Sequence, residues 1–238
     1  MKYKILLLNL GYFSGLNGSI FDYIFKSYRY VFPSKKIIGK ISEKLKEIIF
    51  REKPDVICLI EIRKSQIKYL ANENYKFYDF ETKYSPNGLA RKTPILKDQC
   101  NGFLSKEKIN FQKFFLKNGS KKLVYIINFP GEIKLILFHF ALGKNTRKKQ
   151  FEEIKTLAGK DKKTIICGDF NISKGMSELN SLINDTNLEI CQKEPTFPAY
   201  NPKKAIDLFL VSSGLAVKLK VIRSDVSDHL PVLLEIEV

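Results

Sequence analysis

Tryptophan is absent from the 238 residues, and methionine and histidine occur only twice each. Cysteine stands at four isolated positions, Cys58, Cys100, Cys167 and Cys191. None is spaced as C-x-x-C, which argues against zinc. Cys58 and Cys167 lie inside apolar runs and read as buried small hydrophobes. A reduced, cytoplasmic setting fits this usage. Long hydrophobic runs are missing too. The run Ile5 to Leu8 is too short for a signal peptide or a membrane span, and no later segment is long enough. Linkers, repeats and low-complexity tracts are also lacking. Collagen, coiled coil and disorder are therefore excluded.

Acidic residues are scarce relative to basic ones: 25 Asp and Glu face 41 Lys and Arg, a formal net charge of +16. Such a charge attracts polyanions and loses that attraction in salt. It points to nucleic acid or an anionic membrane. Compositional drift in a Lys-, Ile-, Asn- and Phe-rich chain explains it equally well. What is present otherwise is ordinary for a globular protein, with 44% hydrophobic and 28% charged residues. The length suits one domain over 1–238, with a monomer as the default state.

Periodicity predicts buried strands at 3–9 and 55–61, the second entered after Pro54. Ile37, Ile38, Ile41, Leu45, Ile48 and Ile49 fall at helical spacing over 36–52. A short helix is expected at 63–74 and a polar loop at 81–100. Strands follow near 101–105, 122–129 and 133–140, the last two joined at Pro130-Gly131. A helix at 146–158 has Asn145 or Thr146 as its cap. Then come a strand at 163–168, a helix at 177–184 and strands at 206–211, 217–222 and 231–237. The stretch 11–34 reads as irregular, aromatic and basic. The mixture of hairpins and helical connections implies an α/β sandwich, two sheets packed together with helices outside.

Polar residues recur where strands end. Asn9 closes the first strand, Glu61 the second, and His139 the strand KLILFHF. Asp169 and Asn171 follow TIICG. Asp207 opens IDLFLV, and Asp228 and His229 precede PVLLEIEV. Singly, each has a structural explanation as a turn residue or a solvated acid. As a set they can gather in one cleft. Hard oxygen donors such as Glu61, Asp228 and the Asn9 amide suit Mg²⁺ or Mn²⁺. A carboxylate can activate water, and Asn and His donors can stabilise developing phosphoryl charge.

GDFN (168–171), SDHLP (227–231), PDVICLIEI (54–62), IDLFLVS (206–212), Asn9 and NGFLSK (101–106) together resemble the endonuclease/exonuclease/phosphatase superfamily. The resemblance spans nearly the whole chain. It implies a four-layered, DNase I-like α/β sandwich and phosphoester hydrolysis with a divalent cation. It implies Glu61 as principal metal ligand, helped by Asn9 and Asp228. Asp169 positions or deprotonates the attacking water, and Asn171 donates to the scissile phosphate. His229 contacts the phosphate, with Asp207 orienting or polarising that cluster. His139 is a phosphate contact or a proton donor near the leaving group. The segment FHFALG resembles the His-Leu segment of deoxyribonucleases, sphingomyelinases, inositol-polyphosphate phosphatases and tyrosyl-DNA phosphodiesterases rather than that of abasic-site endonucleases. NLGYFSGLNGS, HFALGKNTRKKQ and PTFPAYNPKKAIDLFLVS resemble a bacterial and archaeal group within the family.

The expected function is a nuclease or nucleic-acid phosphodiesterase. Arg147, Lys148, Lys149, Lys83, Arg91, Lys92 and Lys97 are its candidate basic contacts, and the aromatics of 12–32 can stack on bases. Core packing is an equally simple role for those aromatics. The alternative is a phosphodiesterase or phosphatase for a lipid headgroup or small phosphoester at an anionic membrane. The lack of a clear amphipathic helix in 12–32 counts against that alternative.

Overall fold

The computed structural model describes residues 2–159, 163–184 and 186–237. β1 (Lys2–Asn9) leads through a 3-10 turn at Gly11–Phe13 to α1 (Ile20–Lys26), α2 (Lys35–Glu52) and β2 (Val56–Arg63). Next come β3 (Phe77–Thr82), β4 (Gln99–Ser105), β5 (Asn110–Phe115), β6 (Leu123–Phe129) and β7 (Ile133–His139). α3 (Lys144–Ala158), β8 (Thr164–Asp169), α4 (Asn180–Ile183) and β9 (Leu188–Ile190) follow. β10 (Asp207–Ser212), β11 (Val217–Val221) and β12 (Val232–Glu237) complete the described elements.

The strands form two six-stranded sheets, ordered β11-β12-β1-β2-β4-β3 and β5-β6-β7-β8-β10-β9. Each sheet is antiparallel except for one central parallel pair, β1 with β2 and β7 with β8. A parallel pair needs a long crossover. α1 and α2 make the first and α3 the second. The sheets pack face to face through Ile5, Leu7, Cys58 and Ile60 on one side and Leu135, Leu137, Ile165 and Cys167 on the other. The outer face of the first sheet puts Leu6, Leu8, Ile57 and Leu59 against Ile41, Leu45 and Ile48 of α2. The outer face of the second puts Ile136, Phe138 and Ile166 against Phe151, Ile154 and Ala158 of α3. The result is the expected α/β sandwich with helices outside. Strands buried on both faces read as unbroken apolar runs, which is why ILLL and VICLI are conspicuous in the sequence.

α2 is capped by the Ser34 hydroxyl, which accepts from the Ile37 N–H, and stops at Lys53 in the left-handed region (φ +51°), just before Pro54. α3 begins earlier than expected. Gly143, not Asn145 or Thr146, is its N-cap, and no side chain caps it. The expected helix at 63–74 is a 3-10 stretch, Lys64–Tyr69. The expected helix at 177–184 divides into a 3-10 turn at Met176–Leu179 and the short α4. The stretch 11–34 is not wholly irregular, since it contains α1, capped by Ser19. β3, β5 and β9 are not evident in the sequence; all three are sheet edges.

This topology positions a site. Asn9, His139 and Asp169 are the last residues of β1, β7 and β8, and Glu61 lies near the end of β2. The carboxyl ends of parallel strands are where α/β sheets leave a crevice. Antiparallel neighbours begin at the same edge: Asp207 of β10 pairs directly with Asp169. β12 starts with Val232 opposite Leu7, so Asp228 and His229 lie beside the end of β1.

Candidate active site

Two backbone devices aim the acids. The pairing of β2 with β4 shifts register between Leu59 and Ile62. Glu61 sits inside that bulge at φ +55°. Its N–H donates to Asn101 Oδ1 at 3.2 Å, so the displaced amide is satisfied. A bulge of this kind re-aims one side chain out of the strand's alternation. In GDFN, Gly168 has φ +155°, and a Cβ there would lie 1.7 Å from the Phe138 carbonyl oxygen. Only glycine lets β8 approach β7 so closely, and that approach sets Asp169 beside His139.

Seven of the eight expected residues line one cleft of about 430 Å³: Asn9, Glu61, His139, Asp169, Asn171, Asp228 and His229. The eighth, Asp207, lies buried behind it. Asp169 is the hub. Its Oδ2 accepts from Asn9 Nδ2 at 3.1 Å and lies 3.3 Å from His139 Nε2. Its Oδ1 accepts from the Asn171 N–H at 3.0 Å. The Asn171 amide also donates to the Phe140 carbonyl at 2.9 Å. His229 Nδ1 donates to Asp207 Oδ2 at 2.8 Å, and the Thr196 hydroxyl donates to the same oxygen at 2.7 Å. Asp228 Oδ2 accepts from the hydroxyls of Tyr23 at 3.0 Å and Tyr30 at 2.6 Å.

Several of these groups escaped the sequence argument. Tyr23, Tyr30 and Lys121 line the cleft. Lys121 Nζ lies against His139 Nε2. Lys83 Nζ is buried 3.5 Å from Glu61 Oε1 and donates to the Tyr12 hydroxyl. Nothing local distinguishes Lys83 or Lys121 from the chain's many other lysines. Only the fold turns them inward. Asn101 was legible as part of NGFLSK, without a role. Two expected nucleic-acid contacts are corrected. Lys83 is an inward group, and Arg147 is buried, donating to the Ala141 and Leu142 carbonyls at 2.8 Å each and pairing with Glu178.

Charge in this cleft is set by competition. Burial alone raises a carboxyl, yet Lys83, His139 and Lys121 outweigh it and hold Glu61 at about 2. Burial likewise opposes ionisation of Asp169, but the His139 hydrogen bond, with His229 and Lys121, keeps it below the ordinary value. The two imidazoles diverge. Burial, reinforced by the Lys121 ammonium, pushes His139 down to about 4. Burial also disfavours charge on His229, but Asp207 overcomes it, helped by Asp228 and Asp169, and raises it to about 10. At neutral pH His139 is therefore neutral and His229 cationic. Burial lowers Lys83 to about 8 against the pull of Glu61.

The donor chemistry fits a hard divalent cation. Glu61, Asp169 and Asp228 bring carboxylates to one cleft, with the Asn9 amide among them, and oxygen donors of this kind suit Mg²⁺ or Mn²⁺. The same carboxylates, Glu61 and Asp169, favour the charged forms of Lys83 and Lys121 against the effect of burial. Asp169, Asp207 and His229 also bring ligand-type atoms within 4.8 Å of one another. There, however, the Asp207–His229 hydrogen bond already engages two of the three side chains.

A two-sheet α/β sandwich with carboxylates, amides and imidazoles gathered at the carboxyl ends of its parallel strands has the architecture of the DNase I-like class. The profile of the Endonuclease/Exonuclease/phosphatase family matches residues 42–229, and the chain belongs to that family. No curated protein matches it in sequence. Among solved structures it is similar to D. rerio TDP2 humanized by 14 mutations, at 14% identity and TM-score 0.67, covering 100% of this chain and 99% of that one. It is similar to a mannosyl-6-phosphatase of Bacteroides thetaiotaomicron, at 17% identity and TM-score 0.68, covering 99% and 100%. It is also similar to sphingomyelinase C from Streptomyces griseocarneus, at 18% identity and TM-score 0.67, covering 99% of each chain. At such identities the likeness establishes the fold alone.

Proposed function

We propose that this chain is a phosphodiesterase dependent on Mg²⁺ or Mn²⁺, with Glu61, Asn9 and Asp228 holding the cation. The supporting observation is the convergence of Glu61, His139, Asp169, Asn171, Asp228 and His229 on one cleft. When bound, the cation supplies neutralisation of phosphoryl charge and orientation of the ester. Asp169, kept ionised, orients and deprotonates water. The second amide N–H of Asn171 and the cationic His229 ring donate to phosphate oxygens. Asp207 keeps His229 charged and oriented. His139, beside Asp169, is a phosphate contact or a proton donor near the leaving group.

The +16 charge supports a nucleic-acid substrate, although Lys83 and Arg147 face inward and contribute nothing to such a surface. The lipid reading rests on a separate observation, the apolar surface beside the cleft. The test of catalysis is a panel of single- and double-stranded DNA, RNA and chromogenic phosphomono- and diesters, with Mg²⁺ or Mn²⁺ and with chelator. Turnover is expected with metal only, and Asp169→Ala is expected to reduce it about 10²–10⁴-fold while leaving circular dichroism unchanged. Absence of turnover on every substrate across a wide salt range overturns the proposal. A wild-type rate for the variant overturns the role of Asp169.

A further inference from the structure

The segment from Ile20 to Phe32 presents an unusual surface. Ile20, Phe21, Ile24, Phe25 and Phe32 are 74%, 59%, 65%, 62% and 70% exposed. Ile20, Phe21, Ile24 and Phe25 fall at helical spacing on one side of α1, and large apolar side chains exposed together mark an interaction surface. It is also built rather than frayed. Ser19 caps α1, and Asp22 is buried, accepting from the Asn17 N–H at 2.9 Å and from Lys26 Nζ at 2.7 Å. Arg63 Nη2 donates to the Tyr30 carbonyl at 2.9 Å. The inward side of the same segment carries Tyr23 and Tyr30, whose hydroxyls meet Asp228 in the cleft. One face of the segment thus belongs to the site while the other offers apolar side chains to solvent. Leu142, 73% exposed, stands on the cleft rim.

The charge around this patch is mostly basic; its one acid, Asp22, is buried and paired with Lys26. Between Tyr23 and Ser42 the chain carries Lys26, Arg29, Lys35, Lys36 and Lys40 and no acidic residue. Lys26 lies over the Phe21 ring and Arg29 over the Tyr28 ring, cations placed at the edge of apolar surface. Apolar side chains that enter the acyl boundary, flanked by cations that meet acidic headgroups, are the chemistry of interfacial binding. A base-stacking platform would instead need free aromatic faces. Two of the five most exposed side chains here are isoleucines, and Phe21 and Phe25 pack on each other with centroids 4.7 Å apart.

We propose that the Ile20–Phe32 surface docks the protein on an anionic lipid bilayer and that the cleft takes its phosphoester from a lipid headgroup in that bilayer. The substrate half rests on the phosphoesterase reading above. In that reaction water adds to phosphorus, the P–O bond to the leaving group breaks, and the departing oxygen takes the proton.

The test is co-sedimentation of the full chain with phosphatidylcholine vesicles, with and without phosphatidylserine. The wild type is compared with the triple variant Phe21→Ser, Ile24→Ser and Phe25→Ser. The wild type is expected to sediment with the acidic vesicles, and the variant to lose affinity roughly tenfold or more. Should that variant lose its fold, Tyr28→Ser with Phe32→Ser, outside the helix, carries the same expectation. Equal sedimentation of wild type and folded variant, or none by either, overturns docking. Loss of single-stranded DNA binding by the variant, without any vesicle binding by the wild type, overturns it in favour of nucleic acid. Catalysis is followed separately with a soluble chromogenic diester and with radiolabelled mixed phospholipid vesicles. The variant is expected to keep the wild-type rate on the soluble ester and lose it on vesicles. No hydrolysis of vesicle phospholipid by a wild type that turns over the soluble ester overturns the lipid substrate, and equal non-zero rates for the two proteins overturn delivery through this surface. Failure of both proteins on the soluble ester defeats the catalytic reading and leaves the sedimentation result to decide docking.

Discussion

Glu61 and Asn171 adopt positive φ without being glycine, a conformation that costs about 1–3 kcal/mol where the surroundings enforce it. Both line the cleft, so strain is stored where side chains must be aimed. Asn101 is what holds Glu61 there. Asn101→Ala leaves the bulge N–H unsatisfied, and the expected cost is about 1–3 kcal/mol in urea denaturation. A loss of turnover in the variant at temperatures where it stays folded would follow from a mis-aimed Glu61. Residue identity at this scale was largely legible. GDFN and SDH mark Asp169, Asn171, Asp228 and His229 as a set, because these family motifs occur in order along the chain, whereas singly each residue reads as ordinary turn chemistry. Lys83, Lys121, Tyr23 and Tyr30 were not, because their types are abundant in the chain and their direction is decided by distant packing.

Among elements, the connection between β7 and α3 depends on a buried ion pair. Arg147 holds the Ala141 and Leu142 carbonyls and pairs with Glu178, with side chains 1% and 4% exposed. Removing one partner strands a buried charge. Glu178→Ala is expected to destabilise by about 3–5 kcal/mol, and Arg147→Met with Glu178→Leu by less than that single change, measured by urea denaturation. A second tie joins α3 to the β5–β6 turn. Glu153 accepts from the Lys117 and Asn118 N–H groups at 2.7 and 3.1 Å. Burial opposes its charge, but these bonds and that of the Asn118 side chain hold its carboxyl below 4.5. A depressed carboxyl stabilises above its unfolded pKa and loses that contribution as pH falls through the folded one. Glu153→Gln is therefore expected to cost roughly 1 kcal/mol at pH 7, reduced by its partial exposure. The gap to wild type should close in thermal melts as pH falls below the ordinary glutamate range and through the depressed folded value. The strands hidden in the sequence, β3, β5 and β9, are edges. An edge strand is half exposed on at least one face, so its apolar signal is weak and its pairing partner defines it.

For the whole molecule, the formal charge of +16 acts as a self-repulsion that salt screens. Melting temperature is expected to rise by ~2–4 °C from low to physiological ionic strength, the shift of about 1 kcal/mol in a chain of this size. A fall on adding salt would mean that attractive surface pairs dominate. No helix among the described residues is long and apolar enough to cross a membrane. The sequence by itself determined which segments are buried on both faces, and which acids, amides and imidazoles stand at strand ends. Both are properties of a short stretch of chain, written in apolar runs and local motifs. Only the tertiary structure decided what those stretches face. It paired the edges, turned Lys83 and Arg147 inward, joined Tyr23 and Tyr30 to Asp228, and left the apolar side of α1 toward solvent. Direction and partnership come from contacts between residues far apart in the chain, and periodicity within one segment carries no record of them.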